Sequence, residues 1–368
     1  MPSSPRQIIP FTIIRMDSLG QGVSKEADKI TFIPKTMVGD SGEAEVLAER
    51  KGVVFARAIR FNNRSAERIN SSCPHFDDCP SCHFLHIDYQ KEISIKTDTF
   101  NHLFRKFEMP QLEVIQAPQR DSYRNRIQLH YDLKRKIIGM LDAKQDKIIP
   151  IPECLIGLPV IKQEIKRLYT DDAWIDEAQG QPWTGHLEIY WNQQELKLTW
   201  NRPYAEGGFT QVFAEMNERL KAILAQWVAS KKPTHLLDLF AGNGNLSQGL
   251  SYSQRLCVDI YPEAKGAEFI SQNLYDEKAK KRIFQELKKR NFSPQVLLVD
   301  PPRSGIKDLS AWVEEIRPNF LVYVSCDPHT LARDLSLLEN YSLVKSFLID
   351  FFPSTFHFES MVFLERRG

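Results

Sequence analysis

Cys326 stands in Val324-Ser-Cys-Asp-Pro328, where the β-favouring run Phe320 to Val324 meets a proline turn. A thiol at the carboxyl end of a buried strand can act as a nucleophile: sulfur attacks as thiolate, and a polar strand end can lower its pKa. The plainer alternative is a small residue filling a turn, since cysteine is often simply buried. A second set, Cys73, Cys79 and Cys82, forms a C-x5-C-x2-C array, and Cys154 stands alone in Ile151-Pro-Glu-Cys-Leu-Ile156. Four thiolates suit tetrahedral zinc or the iron corners of a [4Fe–4S] cluster, with His75, His83 or His86 able to replace a sulfur. A third stretch, Asp350 to Leu364, carries His357 and Glu359 on one face of an extended segment. A part-buried glutamate can have a raised pKa and serve as general base, although such a motif is also a common structural hydrogen-bond pair.

Two further stretches read as ligand-binding strand ends. His235 to Phe240 runs into Ala-Gly242-Asn-Gly244-Asn245, which predicts strand, glycine turn and helix, the first unit of a doubly wound sheet. A dinucleotide fingerprint needs a third glycine, but Ser247 stands there. Asp238, and Asp259 at the end of the next strand, suit a nucleoside's amino group and ribose hydroxyls. Val296 to Val299 leads into Asp300-Pro-Pro-Arg303-Ser-Gly305, a strand end expected beside the first strand, with Arg303 free to meet phosphate or brace the loop.

The elements that position these residues fall into three spans. Residues 1–65 alternate short apolar runs with glycine turns and read as a small β-barrel. Its later half carries Arg50, Lys51, Arg57, Arg60, Arg64 and Arg68 interleaved with Phe55 and Phe61. That pattern is either an RNA-facing surface or a solvated face. The strand–Leu-Gly-x-Gly-Val–strand–Gly-Asp pattern here resembles the TRAM domain, an RNA-binding barrel. Residues 66–205 hold the cysteine array, an amphipathic helix over Ile87–Phe107 with Lys91, Lys96, Arg105 and Lys106 opposite its apolar face, four strands, and a helix over Val160–Tyr169, making a central α+β domain. Residues 206–368 alternate helix and strand, an α/β pattern.

In order and spacing, these motifs resemble the iron–sulfur RNA 5-methyluridine methyltransferases, closest to the type acting on large-subunit ribosomal RNA. The carrying residues are the four cysteines; Gln211 in Gly-Phe-Thr-Gln; Leu236 to Asn245; Asp300 to Gly305; Val324 to Pro328 with Thr330-Leu-Ala-Arg-Asp334; and Phe352-Pro followed by His357-Phe-Glu-Ser360. The resemblance implies a C-terminal class I, Rossmann-like methyltransferase domain. It implies a [4Fe–4S] cluster on Cys73, Cys79, Cys82 and Cys154, structural and RNA-docking in role. It implies S-adenosylmethionine held by Gln211, Phe240, Asn245, Asp259, Asn273 and Asp300, with Cys326 as nucleophile and Glu359 as base. The implied substrate is RNA, with ribosomal RNA favoured over transfer RNA.

Three departures from the family pattern stand out. Phe213 occupies a position where the family usually has Asn. Residues 259–273 are short for a helix plus a strand, so one crossover helix looks trimmed. Ser-Cys-Asp replaces the commoner Ser-Cys-Asn. Other classes fit less well. A radical methylthiotransferase needs C-x3-C-x2-C and no such glycine loop; a cytosine-5 methyltransferase needs a different strand-end motif; a non-catalytic iron–sulfur RNA binder needs no Cys326 with Glu359.

The whole chain sets bounds. It has 368 residues, a net charge of +1 and no global basic signature, so an RNA partner must be met by local patches. No apolar run suits a membrane span and the first residues lack a signal-peptide core, so a soluble, cytoplasmic protein is expected, with a monomer as the default. Six cysteines in a reducing compartment point to metal or catalysis.

Overall fold

The computed structural model describes residues 7–26, 29–143, 146–203, 211–260 and 266–368. Gly208 to Thr210 of the Gly-Phe-Thr-Gln motif, the 205/206 boundary and the middle of the 259–273 segment lie outside them. Two compact units divide the chain: residues 1–99, 118–202 and 352–356 form the first, and 100–117, 203–351 and 357–368 the second.

The first unit contains two sheets. Strands β1 (Ile8–Thr12), β2 (Arg15–Met16), β3 (Gln21–Ser24), β4 (Ile30–Pro34), β5 (Ser41–Arg50) and β6 (Val53–Asn63) form a six-stranded sheet in the order β1-β5-β6-β4-β3-β2. It curls enough for the Thr12 N–H of β1 to reach Ser24 Oγ of β3, at the far side of the sheet, at 3.3 Å. Phe11, Ile13, Ile33, Ala44, Val54 and Ala56 fill its interior. The basic residues on β6 do not form an open cationic stripe. Arg57 and Arg60 pair with Glu45 and Glu43 on β5, and Arg64 and Arg68 lie over the Phe61 ring.

Helix α1 (Tyr89–Phe104) follows the cysteine array, and β7 (Leu112–Ile115) follows α1. One residue departs from the expected amphipathic pattern. Lys96 is 1 % exposed, held by the equally buried Glu92 one turn earlier at 2.7 Å. An ammonium can be buried this deeply because a carboxylate and carbonyls satisfy it.

The second sheet of this unit comprises β8 (Arg126–Asp132), β9 (Ile137–Asp142), β10 (Lys147–Ile149), β11 (Thr184–Trp191) and β12 (Leu196–Trp200), ordered β10-β9-β8-β11-β12 and antiparallel throughout. Alternation puts Ile127, Leu129, Tyr131, Leu187 and Ile189 on one face, where α2 (Pro159–Tyr169) and α3 (Ala173–Glu177) supply Ile161, Ile165, Leu168 and Trp174.

The second unit is organised around one eight-stranded sheet. After α4 (Ala214–Lys231) come β13 (His235–Leu239), β14 (Gln254–Asp259), β15 (Phe269–Ser271), α5 (Ala279–Lys289), β16 (Val296–Val299), α6 (Leu309–Ile316), β17 (Phe320–Ser325), α7 (Pro328–Leu335), β18 (Tyr341–Ile349) and β19 (Glu359–Arg366). The order is β15-β14-β13-β16-β17-β19-β18-β7. The first five strands are parallel, β19 is antiparallel to both neighbours, and β7 joins the far edge parallel to β18. Strands buried on both faces read as unbroken apolar runs, as in Val296 to Val299. The strand order reverses direction at β13 and β16, which creates a crevice at their carboxyl ends.

One expected element is absent. Residues 242–249 after the glycine loop form successive turns, not a helix. Gly242, Gly244 and Gly249 all have positive φ, which interrupts right-handed helix three times in eight residues.

Candidate active site

The carboxyl ends of β14, β13, β16 and β17 bring the predicted residues of the second unit together. Asp238, inside β13, is completely buried, and neither carboxylate oxygen has a hydrogen-bond partner. Burial pushes its pKa up to about 7. Asp259 ends β14, and its Oδ2 accepts the Gly242 N–H at 2.9 Å, so the carboxylate holds the glycine loop in place. Asp300 follows β16, next to Phe240, the residue after β13. Burial, then Asp238, then Asp259 raise its pKa to about 7.

Phe240 adopts a positive φ of 61° and its ring lies 5.5 Å from that of Tyr275. Tyr275 in turn hydrogen-bonds Ser304 and Gly305 of the Asp-Pro-Pro-Arg-Ser-Gly loop. Gln211 is buried just before α4. Asn273 lies two residues past β15, exposed, its Oδ1 accepting the Tyr275 N–H. Of the six residues expected around the methyl donor, it is the least enclosed.

Asn245 exchanges hydrogen bonds with Asn217, amide to amide, at 3.0 and 3.2 Å. Sequence reasoning missed Asn217. It stands one helical turn after Phe213, where the expected asparagine is absent, and the i+4 spacing was the available signal. Phe213 itself is buried at the start of α4.

Cys326 leaves β17 at the start of α7. Asp327 caps that helix, accepting the His329 and Thr330 N–H groups, with Pro328 in the first turn. Asp caps as well as Asn, which accounts for Ser-Cys-Asp at this turn. The β17–β19 register ends at Ser325 opposite Ser360, so Cys326 and Glu359 are the next facing pair. Glu359 is 4 % exposed and its Oε2 has no hydrogen-bond partner.

The expectation that the strand end lowers the Cys326 pKa does not hold. Burial, then Glu359 and Asp300, push the thiol up to about 12, with only Arg303 opposing. Burial and Asp300 also lift Glu359 well above the usual carboxylate range, again opposed by Arg303. Glu359, Asp300 and the Arg303 guanidinium thus act on the sulfur, and the thiol keeps its proton at neutral pH. Arg303 also lies 3.4 Å from His357 Nε2.

The loop carrying Arg303 is fixed by Asp334. Asp334 accepts the Ile306 N–H and the Tyr323 hydroxyl at 2.6 Å each, and Arg333 on its other oxygen. Gly305 passes so close, at φ +67°, that a Cβ would stand 2.4 Å from Asp334 Oδ2.

In the first unit the four remaining predicted cysteines converge. Burial, then Cys79, Cys154 and Cys73, raise the Cys82 pKa, and Cys79 also raises Cys73 and Cys154. Lys35 Nζ donates to the carbonyls of Phe76, Asp77 (3.1 Å) and Cys79 (2.8 Å), tying the loop to the end of β4. Among the described residues no three His, Cys, Asp or Glu side chains close on a single ion.

The second unit thus has a doubly wound, Rossmann-like sheet with a cysteine and a carboxylate at its crevice. A family model described as tRNA (uracil-5-)-methyltransferase matches residues 264–367. The "23S rRNA (uracil(1939)-C(5))-methyltransferase RlmD" of Shewanella sediminis is 26% identical, covering 99% of this chain and 98% of that protein. Its namesake from a Marinomonas species is 27% identical over 99% and 97%. The Shewanella alignment runs over 437 positions, more than this chain's 368 residues, so that relative carries additional residues within the shared span. A crystal structure of Pyrococcus abyssi tRNA (uracil-54, C5)-methyltransferase in complex with S-adenosyl-L-homocysteine superposes with a TM-score of 0.68 at 19% identity, covering 96% of this chain and 99% of that one. That likeness extends the shared fold over nearly the whole chain.

Proposed function

We propose that this chain is an S-adenosylmethionine-dependent RNA methyltransferase acting on uracil C5, with a uridine of 23S ribosomal RNA as substrate. The observation that carries this is the facing of Cys326 and Glu359 at the crevice of a methyltransferase sheet, in a chain that aligns end to end with ribosomal RNA uracil-C5 methyltransferases.

Uracil C5 is a weak nucleophile. Cys326 sulfur bonds to C6, its proton passing to a neighbouring carboxylate, and the ring electrons become an enolate with density at C5. Bound S-adenosylmethionine supplies an electrophilic methyl, which C5 takes. Glu359 then removes the C5 proton, the C5–C6 double bond re-forms and the Cys326 sulfur leaves. The raised thiol pKa fits this sequence: a thiolate generated only when substrate is seated does not react elsewhere. A paired or stacked uridine does not offer C6 to sulfur, so the target is flipped or lies in a loop.

The site fits the donor. The unpartnered carboxylate of Asp238 and the acids Asp259 and Asp300 are available to its hydroxyls, amino group and positive charge, beside Gln211, Phe240, Asn245 and Asn273. We assign the four cysteines to a [4Fe–4S] cluster with a structural role: they lie near enough to raise one another's thiol pKa, and Lys35 braces their loop. The curled sheet of residues 1–65 serves as a TRAM-like RNA-binding module. Residues 66–205, apart from 100–117, belong to the cluster domain, and 206–368, apart from 352–356, together with 100–117 to the methyltransferase domain. No helix among the described residues is long and apolar enough to cross a membrane. We assign a cytoplasmic monomer.

The match to the tRNA (uracil-5-)-methyltransferase family model supports a second reading, a transfer RNA uridine as target. Mapping 5-methyluridine in ribosomal and transfer RNA with and without the gene separates the two. RNA carrying 5-fluorouridine at the target, with donor present, should become covalently trapped on the protein, and Cys326→Ala should form no such adduct. Absence of that adduct overturns the mechanism. Iron and acid-labile sulfide in the purified protein test the cluster.

A further inference from the structure

The segment between β18 and β19 is tied down along its whole length. The Phe352 carbonyl accepts Lys96 Nζ at 3.3 Å, and the Pro353 carbonyl accepts the Tyr123 hydroxyl at 3.0 Å. Ser354 donates its N–H to Glu92 Oε1 at 2.8 Å, and its carbonyl takes the N–H groups of His83 and Phe84 at 2.8 and 3.1 Å. The rings of Phe356 and His83 meet edge to face at 4.7 Å. Ser354 is fully buried and held at φ +70°, a conformation that persists only when its surroundings enforce it.

The anchor is itself rigid. Glu92 is fully buried and binds Lys96 and Arg120, both at 2.7 Å. Arg120 also donates to the carbonyls of Phe84 and Ile87. His83 directly follows Cys82. The strap ends at Phe356, and Glu359 is three residues further along. So short a tether, about 10 Å when fully extended, transmits a displacement of the strap to the carboxyl group.

We propose that residues 352–356 are a positioning strap for Glu359, and that Tyr123, Glu92 and the loop carrying Cys79 and Cys82 set the base through it. This rests on the roles assigned above to Cys326 and Glu359. The strap acts through Glu359, so its effect falls on one step. A misplaced Glu359 slows removal of the C5 proton while sulfur addition and methyl transfer continue. Before that proton leaves, RNA remains joined to the protein by the S–C6 bond with the methyl already on C5.

The experiment uses the full-length protein with ordinary, unfluorinated substrate RNA and labelled donor. Tyr123→Phe removes one hydroxyl and keeps the ring, and Glu92→Gln removes the charge that holds Ser354. For either variant that retains its melting transition, turnover should fall about tenfold or more. The denaturant-stable RNA–protein adduct should rise above that of the parent, and S-adenosylhomocysteine should bind unchanged. Slower turnover without a rise in adduct would make the strap merely structural and overturns the proposal, as does parental turnover in Tyr123→Phe. A parent protein that makes no 5-methyluridine instead overturns the functional reading beneath it, so the two failures are distinct.

Discussion

Cys326 faces Glu359 one rung beyond the Ser325–Ser360 pair that ends the β17–β19 ladder. Side chains directly opposite on neighbouring antiparallel strands share a face of the sheet. Strand register thus brings this thiol and this carboxylate to the same face of the sheet. A one-residue slip of β19 would turn Glu359 to the other face.

The electrostatics of that pair set a pH dependence. Asp300 titrates near 7 and Glu359 well above the ordinary carboxylate range, and the two interact, so the site ionises as a group. The base form of Glu359 is populated as pH rises, so single-turnover methylation should climb as pH rises above neutrality. Arg303→Met removes the cation that opposes both the Cys326 and Glu359 shifts, and should move the rise to higher pH. A profile that falls with pH, or one that Arg303→Met moves downward, contradicts this electrostatic picture.

Asp238 gives a stability test. Its folded pKa is about 7, against about 4 for an unfolded aspartate, so between those values the folded protein holds a proton the unfolded chain releases. That contribution is fully present below about pH 4 and is lost as pH rises through 7. His86, pushed down to about 3 by burial, acts with the opposite sign below its ordinary value near 6.5. The informative quantity is therefore the difference between Asp238→Asn and the parent protein. The variant's advantage in unfolding free energy should grow from pH 5 to pH 8 by on the order of 3 kcal/mol. A constant difference across that range would refute it.

Asn217 should matter to donor binding although it is not a motif residue. Removing its amide with Asn217→Ala leaves Asn245 without its reciprocal partner. We expect S-adenosylhomocysteine affinity, measured by calorimetry, to drop by about fivefold to tenfold. An unchanged dissociation constant would show that Asn245 is held by something else.

Gly305→Ala meets both a left-handed backbone and the Asp334 carboxylate. The cost should be about 2 kcal/mol or more, read from the denaturant midpoint. A midpoint equal to the parent's would mean the loop relaxes freely around Asp334.

Much of this arrangement was legible in the residues themselves. Unbroken apolar runs ending in Asp300 and Cys326 announced parallel strands, because only strands covered on both faces dispense with polar alternation. Alternation gave β8, β11 and β12. What could not be read was partnership across distance. Lys96 looks like a surface lysine until Glu92, Arg120 and the carbonyl of Phe352 are brought around it. That Arg57 and Arg60 of β6 pair with Glu45 and Glu43 of β5 depends on a strand pairing the arginine spacing does not reveal. The helix expected after Gly244 failed for a local reason, since the glycines there serve positive φ rather than close packing of a helix. The ionisation of Cys326 depended on Glu359 and Asp300, two carboxylates from other parts of the chain.

The edge strand β7 carries a practical lesson for protein engineering. It pairs with β18 through Leu112 to Ile115, residues far upstream of the rest of that sheet. A fragment cut at the start of α4 would bare the backbone donors and acceptors along β18, inviting fibrils or swapped dimers. During translation, Leu112 to Ile115 are made early and must wait, unpaired, for a partner that emerges much later.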